Sequence, residues 1–394
     1  MRAVVYRGVN DLRLETVPVP RIGPNELLVK VAVCGVCPTD IKKIQYGTVP
    51  PPRIFGHETA GVIARLGPGV SKLGWKIGDR VALHHHVPCR DCHFCRHHAF
   101  AQCETYKRTG ITAGFQPAGG GYAEYVRVMN FVLPGVVKIP AKNSFAEGAM
   151  LEPVNTVLKA VRRLSLLRGD VALVAGQGPI GLIFTRLLQL AGAQVIATDL
   201  LEPRLRLARK FGAKWTLLAQ TGRAELPLRP DARQRVPTAT LIYRATRGRG
   251  LDAAVIAVPS DAAVQQALQL IRCGGQVLLF AHTKRFAPEG GNQRSHFSLQ
   301  RPLAINSRFI GVYRSSAFSL DLASICLDEK DLLGSYSSDF TLQAEVARLV
   351  FSRQLDVRDL ISHFFPLEQT AAAIALAARP TPDSLKVLVR ANVD

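Results

Sequence analysis

The chain has 394 residues, 47% of them hydrophobic, and carries a formal net charge of +20 at pH 7. That length suits two domains, each able to bury a full core, and the apolar content is ordinary for a globular protein. No apolar run approaches the ~18 residues needed to cross a membrane, and the first residues, MRAVVYRGVN, lack the apolar core and cleavage site of a secretory signal.

A cytoplasmic, reducing compartment is therefore expected, where clustered cysteines serve as metal ligands before they form disulfides. Of the 50 basic residues, 36 are arginine. Such a balance can mark a nucleic-acid or anionic-surface partner. Here the arginines spread through the chain, bunching only at 204–210, 229–235, 244–249 and 294–314, without a basic tail or a basic face interleaved with aromatics. A general arginine bias is the simpler reading, and no specific nucleic acid or membrane partner is expected.

The first ~150 residues read as β-rich. The N-terminus reads as a strand, and LLVKVAV (27–33), GVIARL (61–66), DRVAL (79–83) and YAEYVRV (122–128) are short apolar or alternating runs between Gly/Pro turns. Within this part, CRDCHFCRHHAFAQC holds Cys89, Cys92, Cys95 and Cys103 in fifteen residues. The spacing departs from bacterial ferredoxin clusters, whose last cysteine precedes a proline, and from two-knuckle zinc ribbons. Four thiolates from one short lobe suit a tetrahedral Zn²⁺ with no open position, a structural site. His93, His97 and His98 read as polar residues of the lobe's surface, and His84, His85 and His86 as surface residues or supports of nearby groups.

Near Phe145 the pattern changes. FAEGAMLEPVNTVLKAVRRL has helical spacing, after which strand and helix alternate. VALVA (171–175), QVIATD (194–199), LDAAVIAV (251–258) and QVLLFA (276–281) read as strands. PIGLIFTRLLQLAGA (179–193), PRLRLARKFGA (203–213) and DAAVQQALQLI (261–271) read as helices. This alternation predicts a parallel sheet covered on both faces. Residues 219–249 and 284–319 interrupt it as long polar excursions, the first with a helix in ATLIYRATRG. The tail resumes order with DLLGSY (331–336), a helical LQAEVARLVF (342–351) and a strand SLKVLV (384–389).

VALVA runs directly into GQGPIG, giving Gly176, Gly178 and Gly181, then into a helix beginning at Pro179 and Ile180; Asp199 ends the next strand. A strand, three spaced glycines, a helix and a following acid form the dinucleotide fingerprint. The helix N-terminus offers free N–H groups to a diphosphate. A carboxylate at Asp199 suits ribose hydroxyls and so favours NAD, while Arg204 keeps NADP as the lesser alternative. A second, dispersed set comprises Cys37 in CGVCPTD, His57 and Glu58 in GHETAGVIARLGPGV, and Glu152 in LEPVNT. A thiolate, an imidazole and carboxylates are good zinc ligands, and a catalytic zinc keeps one position open. Spacing alone leaves this grouping suggestive only, and Cys34 reads as a buried strand-end residue.

Taken together, these motifs resemble the zinc-containing medium-chain dehydrogenase/reductase family of alcohol and polyol dehydrogenases. GHETAGVIARLGPGV matches its signature GHE-x2-G-x5-G-x2-V through Gly56, His57, Glu58, Gly61, Gly67 and Val70; CGVCPTD, GDRV, the cysteine lobe, the Glu-Pro pair and GQGPIG accompany it. The resemblance implies an α/β protein with a GroES-like catalytic domain at 1–153, a Rossmann domain at 154–335 and a C-terminal catalytic part at 336–394. It implies two zinc ions per chain: one catalytic, held by Cys37, His57 and Glu152 with Glu58 as a transient ligand, and one structural, held by the four-cysteine lobe. Thr39 matches the group that takes the substrate hydroxyl proton, Asp40 the carboxylate that orients His57, and Lys386 a basic position near the cofactor diphosphate. The implied activity is hydride transfer between an alcohol, polyol, sugar or amino-alcohol and NAD(P), in a homodimer or homotetramer. A zinc-free enone or quinone reductase of the same superfamily, and a basic zinc-braced nucleic-acid-binding protein, are the alternatives. Lys42 stands where the family often has a relay histidine, and the 284–319 excursion is longer than the family usually carries.

Overall fold

The structure, a computed structural model, describes residues 1–84, 87–109, 119–219, 238–281 and 321–392. His85, His86 and most of the two polar excursions lie outside the described residues; the helix expected in ATLIYRATRG forms over Thr238–Thr246.

The β-rich part begins with β1 (Arg2–Gly8), β2 (Asp11–Thr16) and β3 (Leu27–Gly35), followed by helix α1 (Pro38–Tyr46), β4 (Arg53–Ile54), β5 (Glu58–Leu66) and β6 (Arg80–Leu83). Two short helices, α2 (His93–Arg96) and α3 (Glu104–Thr109), form the cysteine lobe; β7 (Tyr125–Val128) and β8 (Val137–Lys138) complete the strands. β2, β1 and β4 form a small antiparallel sheet, and the long β3–β5 pair is the spine of a larger one. Their alternating apolar residues, among them Leu27, Val29, Val31 and Ile63, are buried on one face, as period-2 patterning requires.

The helical stretch from Phe145 divides into α4 (Phe145–Ala149) and α5 (Leu151–Val161), with Met150 closing one and opening the next. Ser144 and Glu147 form a reciprocal capping box that starts α4. Helix α5 carries Glu152 in its first turn. It leads into β9 (Val171–Ala175), α6 (Pro179–Leu190), β10 (Gln194–Asp199), α7 (Glu202–Lys210) and β11 (Trp215–Leu218), then α8 (Thr238–Thr246), β12 (Leu251–Ile256), α9 (Asp261–Leu270) and β13 (Ile271–Leu279). After α10 (Leu322–Leu327), β14 (Asp331–Gly334) completes a six-stranded sheet in the order β11-β10-β9-β12-β13-β14, with every pair parallel.

Numbered within that sheet, the order is 3-2-1-4-5-6, the doubly wound arrangement whose ligand crevice opens where the winding reverses, between β9 and β12. β9 and β12 are buried along their whole length, which is why both read as unbroken apolar runs. The chain then crosses back through Ser335–Phe340 to α11 (Gln343–Phe351), β15 (Ile361–Pro366), α12 (Thr370–Ala378) and β16 (Lys386–Arg390). β16 pairs antiparallel with β3, so the tail closes the larger sheet in the order β15-β16-β3-β5-β6-β8. Among the described residues, no helix is long and apolar enough to cross a membrane.

Candidate functional site

Strand β3 ends at Gly35, and two residues later Cys37 occupies the N-cap of α1. Pro38 at the first helical position suits that start, because it donates no N–H and its φ is already helical. Thr39 follows, half-buried, and Asp40 is fully buried in the first turn. On the neighbouring strand, β5 opens at Glu58 opposite Gly35, with His57 immediately before it. Gly56 has φ +95°, and a Cβ there would come 2.8 Å from the Cys34 sulfur, so only glycine allows the turn that delivers His57.

These elements bring ligand atoms of Cys37, His57 and Glu58 within 4.8 Å of one another. Asp40 Oδ2 lies 3.1 Å from His57 Nδ1 and also accepts the Gly56 N–H at 3.2 Å. With Nδ1 turned to Asp40, Nε2 is the nitrogen a metal would take, and the carboxylate fixes ring and tautomer. Burial works against a charged imidazole here, but the charges of Asp40 and Cys37 outweigh it and raise the His57 pKa well above its ordinary value. Protein groups thus already favour positive charge at this point, as a cation site requires.

Glu152 lies outside the 4.8 Å grouping. It is buried in the first turn of α5, and Thr156 donates to its Oε1 at 3.4 Å. Burial pushes its carboxyl up to about 7, with His57 opposing and Glu58 adding to the shift. A carboxylate so raised gains from a nearby cation. Glu58 is more closely engaged than the sequence suggested: Lys386 Nζ donates to its Oε1 at 2.5 Å and to the Val36 carbonyl at 3.0 Å. Both side chains are buried, so the ammonium of Lys386 is committed to Glu58, itself a member of the metal set. Lys42 is half-buried on α1, and desolvation lowers its pKa while Cys37 opposes.

The cysteine lobe forms the second set, with sulfurs of Cys89, Cys92, Cys95 and Cys103 all within 4.8 Å of one another. The Cys92–Cys95 and Cys89–Cys95 separations are 3.5 and 3.9 Å. A tetrahedral zinc with bonds of ~2.3 Å needs sulfurs ~3.8 Å apart, and the cage fits. Backbone N–H groups of Asp91 and Cys92 pull the Cys89 thiol down to about 6, whereas burial and neighbouring thiols raise Cys95 to about 12. Metal binding to four thiolates relieves the second effect.

At the nucleotide turn, Gly176 has φ +92° and Gly181 packs so closely that a Cβ would lie 1.8 Å from the Gly176 carbonyl oxygen. A Cβ on Gly178 would meet nothing within 4 Å, so this residue faces the open side a diphosphate would approach. Helix α6 begins with Gly178 as N-cap, then Pro179 and Ile180. The Asp199 oxygens accept the N–H groups of Gln177 at 2.6 Å and Leu201 at 2.9 Å and retain acceptor capacity for hydroxyls. Arg204 lies 4.0 Å from Asp199. Gln177, overlooked in the sequence, is fully buried; it donates to the Val174 carbonyl and accepts from Thr185, which stiffens the loop.

A parallel doubly wound sheet with a glycine-rich turn, a separate β-rich unit and two metal-ligand sets define a zinc- and dinucleotide-dependent oxidoreductase. Comparison with known proteins agrees. Residues 23–141 match the alcohol dehydrogenase GroES-like domain and residues 179–328 the zinc-binding dehydrogenase domain. Sorbitol dehydrogenase of Bacillus subtilis (strain 168) is 28% identical over 399 residues, covering 100% of this chain and 98% of that protein. Sorbitol dehydrogenase of Bombyx mori is 27% identical, covering 98% and 97%. The solved structure of alcohol dehydrogenase TADH from Thermus sp. ATN1 superposes with a TM-score of 0.77 at 25% identity, covering 99% of both chains. The chain belongs to the zinc-containing medium-chain dehydrogenase/reductase family. It is an NAD(P)-dependent alcohol/polyol dehydrogenase, with a GroES-like β-rich unit joined to a Rossmann-type sheet and with zinc as metal cofactor.

Proposed function

We propose that the chain oxidises a secondary alcohol of a polyol or sugar alcohol to the ketone, with hydride passing to C4 of the nicotinamide and the hydroxyl proton leaving through the protein. The observation that carries this reading is the convergence of Cys37, His57 and Glu58 within 4.8 Å, braced by Asp40. Two sorbitol dehydrogenases among the relatives support the polyol class.

Cys37 and His57 would hold the catalytic zinc, with Glu58 and Glu152 as the carboxylates available to it. Bound there, zinc supplies a Lewis acid that lowers the alcohol pKa toward neutrality. Thr39, two residues after Cys37, is suited to accept the hydroxyl proton. Asp40 keeps His57 in one orientation, and the burial of Glu58, Asp40 and Glu152 argues for a site from which water is largely excluded. Gly176, Gly178, Pro179, Ile180 and Gly181 would receive the diphosphate, and Asp199 the ribose hydroxyls, which favours NAD over NADP; Arg204 is the group that would admit a 2′-phosphate. Cys89, Cys92, Cys95 and Cys103 would saturate a second, structural zinc.

Domain limits at 1–153, 154–335 and 336–394 belong to this reading, supported by the crossings of the chain at α5 and at Ser335–Phe340. A homodimer or homotetramer in a cytoplasmic compartment completes the reading. The test is a screen of secondary alcohols and polyols with zinc-loaded protein, following nicotinamide absorbance with NAD and with NADP. Turnover of a polyol, faster with NAD, is expected; no reduction of either cofactor by any secondary alcohol would sink the proposal.

A further inference from the structure

Three parts of the fold meet at Ser335–Phe340, where the chain crosses back from the parallel sheet. From α5, Lys159 Nζ donates to the Tyr336 carbonyl at 2.9 Å. Asn155 clasps the backbone of Asp339 in both directions, Nδ2 donating to the carbonyl at 2.9 Å and Oδ1 accepting the N–H at 2.8 Å. Asn155 also donates to Gln343 Oε1 at 3.0 Å. From the end of β6, His84 Nε2 lies 3.5 Å from Ser338 Oγ. From the cysteine lobe, the Phe100 ring meets Phe340 edge-on with centroids 5.5 Å apart, and buried Tyr106 faces Tyr336 and Ser337.

Asn155, His84, Ser338 and Gln343 are all buried. The paired bonds of Asn155 to the Asp339 backbone hold the crossing in one register against α5, although Gln343 Nε2 is buried without a hydrogen-bond partner. The helix that grips the crossing is also the one that carries Glu152. The lobe's own apolar cluster is small, comprising Cys95, Cys103 and Tyr106 with Cys89, Cys92 and Phe100 packed against it. Two of its larger side chains, Phe100 and Tyr106, therefore also reach the crossing.

We infer that the four-cysteine lobe is a positioning element for hydride transfer: through Phe100 and Tyr106 it holds Ser335–Phe340 against α5. This fixes Glu152, and the angle at which the nucleotide-binding sheet faces Cys37 and His57. The inference rests on the reading of Cys37 and His57 as the reacting centre.

The test compares Phe100→Ala, Phe340→Ala, their double variant and Tyr106→Phe in zinc-loaded enzyme with NAD and the best polyol found. The cysteines are untouched, so two zinc ions per chain are retained. Each alanine variant is expected to lose about tenfold in kcat, and the double variant no more than the worse single, because the residues share one contact. Amide exchange at 335–340 should accelerate, and the absorption of cobalt placed at the catalytic centre should shift. Phe100→Leu should recover part of each change. Variants that lower only the melting temperature, with kcat, KM and the cobalt spectrum at wild-type values, would make the lobe a brace and overturn the proposal; so would additive losses in the double variant. Should Phe100→Ala not fold, Tyr106→Phe, which keeps the ring, decides by the same readouts. If the cobalt spectrum does not depend on Cys37, the reacting centre is misassigned and both readings fall. If it depends on Cys37 but is indifferent to Phe100 and Tyr106, only the positioning role fails.

Discussion

Lys386 and Glu58, 328 residues apart in the chain, form a buried ion pair at the candidate metal set, of which Glu58 is a member, with Nζ 2.5 Å from Oε1. Removing one member of such a pair leaves an uncompensated buried charge, which costs about 3–5 kcal/mol. Lys386→Met should therefore lower the melting temperature sharply, whereas Lys386→Met with Glu58→Gln should recover much of the loss. Calorimetry of the singles and the double checks this. The dissociation constant for NAD should change less than the stability does, since the ammonium is turned to Glu58.

Asp40 touches the metal set only through His57. Asp40→Asn keeps the shape but removes the carboxylate that holds the ring, and such a change typically costs 10–100-fold in metal affinity or activity. We expect a loss in that range in competition titrations against a chelator, with the far-ultraviolet spectrum unchanged. An undiminished affinity would mean that Asp40 serves the Gly56 turn alone.

Two separate ligand sets predict two zinc ions per chain by elemental analysis. Cys37→Ser should retain one zinc and its fold while losing turnover. Cys92→Ser should lose the other zinc and a substantial part of the stability, because the lobe has little apolar core of its own. A Cys92→Ser protein as stable as the wild type would remove the structural role.

The fingerprint glycines should separate by function. Gly181→Ala would force a methyl group against the Gly176 carbonyl oxygen, 1.8 Å from the ideal Cβ position, and overpacking of this kind costs about 1–3 kcal/mol or more. Gly178→Ala has room, with φ −69° and nothing within 4 Å, so the free protein should melt normally. Its affinity for NAD should nevertheless fall, because the methyl group occupies the diphosphate side. Thermal melts beside fluorescence titrations distinguish the two.

His84 gives a pH dependence whose sign is fixed. Burial lowers its pKa to about 3, whereas an unfolded histidine titrates near ~6.5. The folded state keeps the ring neutral, so its contribution to stability is present above ~6.5 and is lost as pH falls toward about 3. The slope is up to about 1.4 kcal/mol per pH unit for one proton. His84→Asn should flatten the acid limb of stability against pH by that amount, measured by denaturant unfolding with zinc in excess.

Much of the fold was legible because its signals are local. β9 and β10 fall at 171–175 and 194–199 as the apolar runs indicated, and α6 follows the glycine turn. The stretch from Phe145 read as one helical pattern, but the chain divides it at Met150, which puts Glu152 in a fresh first turn. β15 and α12 leave no clear signal in the sequence. The TAAAIALAA of α12 is almost uniformly small and apolar, so it shows no amphipathic period to recognise.

The sequence by itself determined the dinucleotide turn and the four-cysteine lobe, because each rests on residues close together in the chain, and the family, because each of its motifs is a short run and the runs stand in order along the chain. Only the tertiary structure decided which carboxylate stands nearest to Cys37 and His57, that Lys386 serves Glu58, and that the cysteine lobe grips the crossing at Ser335–Phe340. Those pairings join residues up to 328 positions apart. Their choice of partner follows from β16 docking on β3 and from the burial that makes an unpaired charge costly, and neither is written in local spacing.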